Sequence, residues 1–257
     1  MKVSVITTCF NRGRTIAQAA GSVLSQDYAD LEYIVVDGKS TDNTLDELQK
    51  ELSKHPDRDV KVISEPDNGL YEGLNKGIHM ATGDIIGIGH SDDFLYDNHV
   101  ISSIAEHFEQ TGADMVYANG IYVDEHDTSK VVRVWHSGEY LIKKVKKGWL
   151  PLHPTVFIRR DTMLRLGLYD ERYKISADSD LLVRYLYDNK NLKVSYLDQF
   201  VVVMRMGGLS TDFHKFLLKW REDFMMYRRH GIFPFLALPM KILRKVPQFF
   251  VKLKARD

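Results

Sequence analysis

The sequence predicts an α/β protein whose sheet is doubly wound and mostly parallel. Three observations lead there. Short apolar runs alternate with amphipathic stretches through the first third of the chain, the succession that βαβ units produce. The runs carry valine and isoleucine at consecutive positions, as strands covered on both faces do. The turns between them are short, and right-handed crossovers then lay successive strands side by side.

Taken in order, residues 3–8 form the first strand, and Ile16, Ala19, Ala20, Val23 and Leu24 recur at the spacing of one helical face. Residues 33–36 are the second strand. The turn Asp37-Gly-Lys-Ser-Thr-Asp42 follows, where Ser40, Thr41 or Asp42 can cap a helix running through Leu52. Residues 60–64 are a third strand, 70–80 a helix and 84–88 a fourth strand. Asp97 is placed to cap the next helix, 99–110. The second half is less regular. Strands are expected at 113–124, 131–135 and 153–160, a basic stretch without clear periodicity at 140–148, a short helix at 161–166 and a longer one at 178–188. Phe213, Phe216, Leu217, Trp220, Phe224 and Tyr227 share one face of a further helix.

Composition narrows the classes. The 257 residues are 44% hydrophobic and 27% charged, ordinary for a globular protein. Thirty-five basic residues balance 35 acidic ones, which argues against nucleic acid as a partner. Cys9 is the single cysteine, so an intramolecular disulfide is excluded and a reducing compartment fits. It ends an apolar strand, where packing is the expected role. No leader with a cleavage site precedes the first strand, and no apolar run reaches the length of a bilayer span. A cytoplasmic protein is the expectation.

Ligands of such sheets sit beyond the carboxyl ends of the strands. Residues 8–11, Asp37 and residues 91–93 all fall there. The run Gly83-Asp-Ile-Ile-Gly-Ile-Gly-His-Ser-Asp-Asp93 ends in two carboxylates. Carboxylates are what Mg²⁺ takes alongside water and substrate phosphates, so a phosphorylated donor such as a nucleoside diphosphate is the expected ligand. The competing role for Asp93, capping the next helix, is already filled by Asp97.

Several stretches together carry a resemblance. They are Val3-Ser-Val-Ile-Thr-Thr-Cys-Phe-Asn11, Ile34-Val-Val-Asp-Gly-Lys-Ser-Thr-Asp42, Ser64-Glu-Pro-Asp-Asn-Gly-Leu-Tyr-Glu-Gly-Leu-Asn-Lys-Gly77 and Ala81-Thr-Gly-Asp84. They continue with Ser91-Asp-Asp93, His153-Pro-Thr-Val-Phe-Ile-Arg-Arg160, Ile175-Ser-Ala-Asp-Ser-Asp-Leu-Leu-Val-Arg184 and Gly207-Gly-Leu-Ser-Thr211. In order and spacing over roughly residues 1–230 the chain resembles the family 2 inverting glycosyltransferases, in particular those that build O-antigens and other bacterial surface polysaccharides. The resemblance implies the GT-A nucleotide-sugar-binding fold, with a nucleotide half (1–112), an acceptor half (113–230) and a C-terminal helical extension (231–257).

The resemblance also assigns roles. Thr8 and Phe10 fall where the family holds the nucleotide, and Asp37 where a carboxylate accepts the uracil imide. Asp-Gly stands here where many members have Asp-Asp, which leaves the base preference open between UDP and other nucleotides. Ser91-Asp92-Asp93 matches the acidic metal motif, with Asp93 the Mn²⁺ or Mg²⁺ ligand and Asp92 on the donor ribose or sugar. Inverting transfer needs a base opposite the leaving nucleotide. Asp178 aligns with that base, although Ala177 replaces the preceding acidic residue. Asp180 is expected to order a loop or cap the helix. His153 and Arg159 approach acceptor or diphosphate, Lys76 lies near the nucleotide, and Gly207-Gly208 belongs to a closing loop. Trp135 and Trp149 are candidates to stack on a sugar. Two other readings remain: a non-catalytic nucleotide- or sugar-binding protein, and a nucleotidyltransferase, for which Thr7-Thr-Cys-Phe-Asn-Arg-Gly13 is a poor phosphate loop.

The tail places Ile242, Val246, Phe249, Phe250 and Leu253 on one helical face, with six cations against one carboxylate over residues 241–257. A basic amphipathic helix reads either as a peripheral inner-membrane contact, suited to a lipid-linked acceptor, or as a helix packed on its own domain. Pro247 kinks both versions.

Overall fold

The computed structural model describes residues 1–207 and 216–249. The first part runs β1 (Val3–Cys9), α1 (Ile16–Leu24), β2 (Leu31–Asp37), α2 (Thr44–Leu52), β3 (Asp59–Ser64), α3 (Leu70–Met80) and β4 (Ile85–His90). It continues through β5 (Phe94–Leu95), α4 (Val100–Thr111), β6 (Met115–Val123), β7 (Val131–Trp135), α5 (Ile142–Val145), β8 (Phe157–Arg159), α6 (Arg160–Leu166) and α7 (Ala177–Val183). Then come β9 (Val194–Arg205), α8 (Phe216–Arg229) and α9 (Pro234–Leu243). The sheet order is β3-β2-β1-β4-β8-β6-β9-β5, with β7 paired to β6. β3, β2, β1 and β4 are parallel, as the sequence predicts. Beyond them the sheet is mixed: β8 is antiparallel to β4 and β6, while β9 is parallel to β6.

The period of two in a strand sorts the core onto two faces. In β1 and β2, Val3, Val5, Leu31, Tyr33 and Val35 point to the side covered by α1, α2 and α4. Ile6, Ile34 and Val36 point to the side of α3, α7, α8 and α9. Each fully buried Ile or Leu contributes roughly 1.5–3 kcal/mol. Close packing sets one glycine: a Cβ at Gly77 would stand 2.4 Å from Ile6 Cγ2, so α3 lies on β1 only without a side chain there. Gly112 ends α4 in the left-handed region at φ 60°, where glycine has no steric penalty.

Local signals explain several boundaries. Of Ser40, Thr41 and Asp42, it is Asp42 that receives the Thr44 N–H, at 3.0 Å, where α2 begins. Asp97 receives the His99 N–H at 2.9 Å, and Gln26 reaches across to take the Ile101 N–H. The strand expected over residues 153–160 is shorter. Pro154 fixes φ and has no N–H, so His153–Thr155 is a 3₁₀ turn, β8 spans Phe157–Arg159, and Arg160 opens α6. The helix expected at 178–188 is α7 followed by a π-helical turn at Arg184–Asp188. β9, the longest strand, has no counterpart in the sequence reading. Asp198 and Gln199 are exposed within it, and its register to β6 shifts twice, so no clean alternation survives. Residues 231–243 share the main core, where Ile232, Ala237 and Leu238 are buried.

A buried carboxylate ties the parallel strands together. Glu32 of β2 accepts bonds from Ser4 Oγ at 2.5 Å, Lys61 Nζ at 2.6 Å, and the Thr82 N–H and hydroxyl at 2.9 and 2.8 Å. Burial alone raises its pKa, but Lys61, Ser4 and Thr82 outweigh it and hold the group at about 2. A depressed pKa gives stability that is complete above the ordinary value of 4.5 and lost as pH falls toward 2. Glu32→Gln is expected to cost about 1–3 kcal/mol at pH 7 in urea unfolding, with the gap to wild type closing below pH 4.5. Equal midpoints at pH 7 would remove Glu32 from this role.

Candidate active site

The strand register brings the ends of four strands to one rim. Cys9 lies beside Asp37 and Asp37 beside Ser64, while Thr8 lies beside His90. A cleft of about 900 Å³ opens above them. Its lining includes Thr8, Phe10, Asp92, Asp93, His153 and Asp178, so six of the sequence candidates meet in one place. Trp135 and Trp149 line it as well. Trp149 is anchored by its indole N–H to Ser137 O at 3.0 Å.

At the end of β1, Phe10 is 56% exposed, a large aromatic face open at the rim. Thr8 Oγ1 is buried without a hydrogen-bond partner among the described residues, and such groups are costly unless a ligand meets them. Asp37 is fully buried behind this rim. Its oxygens accept the Ser40 N–H and hydroxyl and the Ser64 hydroxyl at 2.5–3.0 Å, and Cys9 Sγ lies 3.6 Å away. It therefore shapes the turn and does not line the cleft. Burial first, and then Asp37, push the Cys9 thiol up to about 12, which leaves it an inert packing residue.

Asp93 is 5% exposed and its Oδ1 accepts the Arg205 N–H at 3.0 Å. Burial and then Asp92 push its pKa well above the carboxylate range, against the weaker pull of Arg205. Arg205 instead spends its guanidinium on the Asp92 carbonyl and Gln18. Among the described residues no cation forms an ion pair with Asp92 or Asp93, and no three His, Cys, Asp or Glu side chains converge on one point. The pair fits a hard cation whose remaining ligands come from substrate and water.

Asp178 stands one residue into α7, across the cleft. Its Oδ1 receives the Ser179 N–H at 2.7 Å. Burial raises its pKa, yet His153, Lys219, Lys241 and that N–H together hold it below the ordinary value. His153 is itself pushed down to about 4 by burial and by His90. It is uncharged near neutrality, so the two lysines keep Asp178 ionised there. His153 Nε2 lies 2.7 Å from the Tyr169 hydroxyl, and Tyr169 stacks on Tyr71, whose hydroxyl donates to Ile175 O just ahead of α7. Glu222 of α8 completes the support. Its carboxylate accepts the N–H groups of Lys174, Ile175 and Ser176 at 2.8, 2.9 and 3.0 Å.

The other candidates lie elsewhere. Lys76 pairs with Glu65 and Glu72, both at 3.0 Å, outside the cleft. Arg159 aligns with Ile85 at the start of β4, the opposite end of the sheet, and bonds Ala113 O. Asp180 is buried against Arg184, Arg229 and His230, an ion network that orders the end of α7. Gly207 follows β9 at φ 97°, a backbone angle suited to glycine, and Gly208 lies outside the described residues. Sequence reasoning missed Asp67, Arg205, Lys219, Lys241 and Lys245 on the cleft wall, and Glu222 behind it. Asp67 sits inside a quoted motif. The rest come from β9, α8, α9 and the turn after it, where no short-range pattern marks the cleft.

The fold and cleft are those of a glycosyltransferase. The profile described as Glycosyl transferase family 2 matches residues 4–172, and the chain belongs to that family. It is similar to a PGL/p-HBAD biosynthesis glycosyltransferase of Mycobacterium bovis, 26% identical over 209 residues, 80% of this chain and 78% of the relative. The hyaluronan synthase of Pasteurella multocida is 26% identical over 224 residues, 87% of this chain but 22% of that protein. Among solved structures, S. aureus TarS 1-349 in complex with UDP-GlcNAc gives a TM-score of 0.70 at 20% identity, over 94% of this chain and 70% of that one. The mannosyltransferase PcManGT from Pyrobaculum calidifontis, in complex with GDP-Man and Mn²⁺, gives 0.65 at 16% identity, over 97% and 73%. In another crystal structure of TarS 1-349 the match spans 65% of that chain.

Proposed function

We propose that this glycosyltransferase moves a sugar, with inversion, from a UDP-sugar to a hydroxyl of a glycan or lipid-linked oligosaccharide in the synthesis of a bacterial surface polysaccharide. The observation that carries this is Asp178 in the same cleft as the Asp92–Asp93 pair. Residues 1–112 supply the nucleotide half and 113–230 the acceptor half. Phe10 stacks on the base and the unpartnered Thr8 hydroxyl meets the nucleotide. Asp37 shapes the turn beneath them, and Asp92 holds the donor ribose or sugar. Asp93 is the ligand for Mn²⁺ or Mg²⁺, which when bound neutralises charge on the leaving diphosphate. The solved neighbours with UDP-GlcNAc, and with GDP-Man and Mn²⁺, support a nucleoside-diphosphate donor.

Asp178 takes the proton of the acceptor hydroxyl as that oxygen attacks the anomeric carbon from the face opposite the nucleotide. The new C–O bond forms as the bond to the diphosphate breaks, and its electron pair leaves with UDP. One displacement inverts the centre. Incubation with Mn²⁺ and either UDP-glucose, UDP-galactose, UDP-GlcNAc or GDP-mannose, with NMR of the product linkage, tests this. Turnover of a UDP-sugar with an inverted linkage is expected. Retention of configuration, or turnover of GDP-mannose alone, would overturn it.

The apolar side chains of Leu217, Phe233, Phe235, Leu243 and Val246 are 51–78% exposed on α8, α9 and the turn after them. Among the described residues no helix is long and apolar enough to cross a membrane. We propose that this ridge rests on the cytoplasmic face of the inner membrane. The double variant Phe235→Ser, Leu243→Ser is expected to lower co-flotation with anionic vesicles several-fold. Unchanged flotation, or none by wild type, would remove the membrane contact.

A further inference from the structure

The cleft wall beside Asp178 is built from the end of the described chain: Lys219 of α8, Lys241 of α9, then Arg244, Lys245 and Gln248. The tail thus turns back onto its own domain. α9 stops at Leu243, and Val246–Phe249 is a 3₁₀ turn around Pro247. Four cations share the wall, and little in the protein neutralises them. Lys241 Nζ lies 2.9 Å from Asp223 and 3.3 Å from Ser179 Oγ. Lys219, Arg244 and Lys245 have no ion-pair partner among the described residues, and Arg244 Nε is buried without any hydrogen bond. Arg133 approaches from β7 through a bond to Gln248 Oε1 at 2.7 Å. Burial, then Lys219, Lys241 and Arg133, drive Lys245 down to about 8. Like charges gathered on a cavity wall, of which only Lys241 is paired to a carboxylate among the described residues, attract an anion.

The position tells which substrate brings that anion. Lys241 touches Ser179, the neighbour of Asp178, and Lys219 and Lys241 are the lysines whose charge Asp178 feels. Asp93 feels Asp92 and Arg205 instead. The basic wall therefore reaches the start of α7, on the side of the residue read as the base. We propose that Lys219, Lys241, Arg244 and Lys245 form a phosphate subsite for the acceptor, so that the acceptor is a phosphorylated molecule held by its phosphate while its sugar hydroxyl reaches Asp178. This rests on the reading of Asp178 as base and Asp93 as donor-side ligand. The phosphate comes either from a lipid anchor or from the glycan itself.

The test is calorimetric titration of n-hexyl phosphate and of glucose 1-phosphate into protein saturated with UDP and Mg²⁺, with glucose and hexanol as neutral controls. Both phosphates are expected to bind with UDP in place, and the neutral probes not to bind. Lys219→Gln, Lys245→Gln should weaken phosphate binding at least tenfold and leave UDP affinity within twofold. Neither lysine has an ion-pair partner to lose, and a thermal melt checks the fold. Tighter hexyl phosphate assigns the lipid source, and tighter glucose 1-phosphate the glycan. Competition between the phosphates and UDP would place the cations on the donor and overturn the proposal, as would no phosphate binding or binding indifferent to the double variant. If UDP itself fails to bind, the donor-site reading falls alone. The probes titrated without nucleotide then still decide the anion site.

Discussion

Asp178→Asn is expected to cut glycosyl transfer by roughly 10²–10⁴-fold while UDP affinity stays within twofold, since a positioned base contributes about that much. Asparagine keeps an oxygen for the Ser179 N–H, so α7 begins as before. What is lost is the negative charge that Lys219 and Lys241 stabilise. Because the pKa of Asp178 is depressed, the base stays ionised below the ordinary value of 3.8. Activity limited by this group should hold from neutrality down to that region and fall only beneath it. Steady-state rates against pH, with stability followed in parallel, check the profile. Transfer unaffected by the substitution would return the cleft to nucleotide binding without catalysis by this residue.

Asp93→Asn is expected to abolish most of the Mn²⁺-dependence of UDP binding, weakening it at least tenfold, about 1.4 kcal/mol. The same change should leave the melting temperature without nucleotide equal to wild type or higher. Asparagine retains the acceptor for the Arg205 N–H, and it removes a buried carboxyl that stands beside Asp92. Opposite signs in the two assays separate a ligand-binding carboxylate from a structural one. A large fall in melting temperature with unchanged UDP binding would make Asp93 structural.

The parallel half of the fold was legible because its strands are local, apolar on both faces and linked by short turns. There β1 to β4 lie within two residues of their expected bounds. Thr8, Phe10, Asp92, Asp93, His153 and Asp178 were legible by type and place together, and they meet in one cleft. Arg159 shows the limit. A motif fixes a position along the chain, but the antiparallel pairing of β8 with β4 carries it to the far end of the sheet. Lys76 shows another, since the carboxylates of Glu65 and Glu72 that claim it appear only once α3 is docked. The basic tail reads on a helical wheel either as a face for lipid or as a face packed on its own domain. The break after Leu243 turns Arg244, Lys245 and Gln248 inward, and no wheel contains that break.

The clamp of Glu222 on the start of α7 gives the molecule a time order. Ser176 and Glu222 are 46 residues apart in sequence, whereas the rim from Thr8 to Asp93 has all its contacts once Arg205 of β9 arrives, ahead of α8. Chains emerge from the ribosome N-terminal end first, so the parallel strands and their rim are synthesised first and the support of Asp178 is finished late, when α8 arrives. A nascent chain halted before α8 would have synthesised its rim while the three N–H groups ahead of Asp178 still lacked their acceptor. The support of the segment ahead of Asp178 is thereby tied to the arrival of α8.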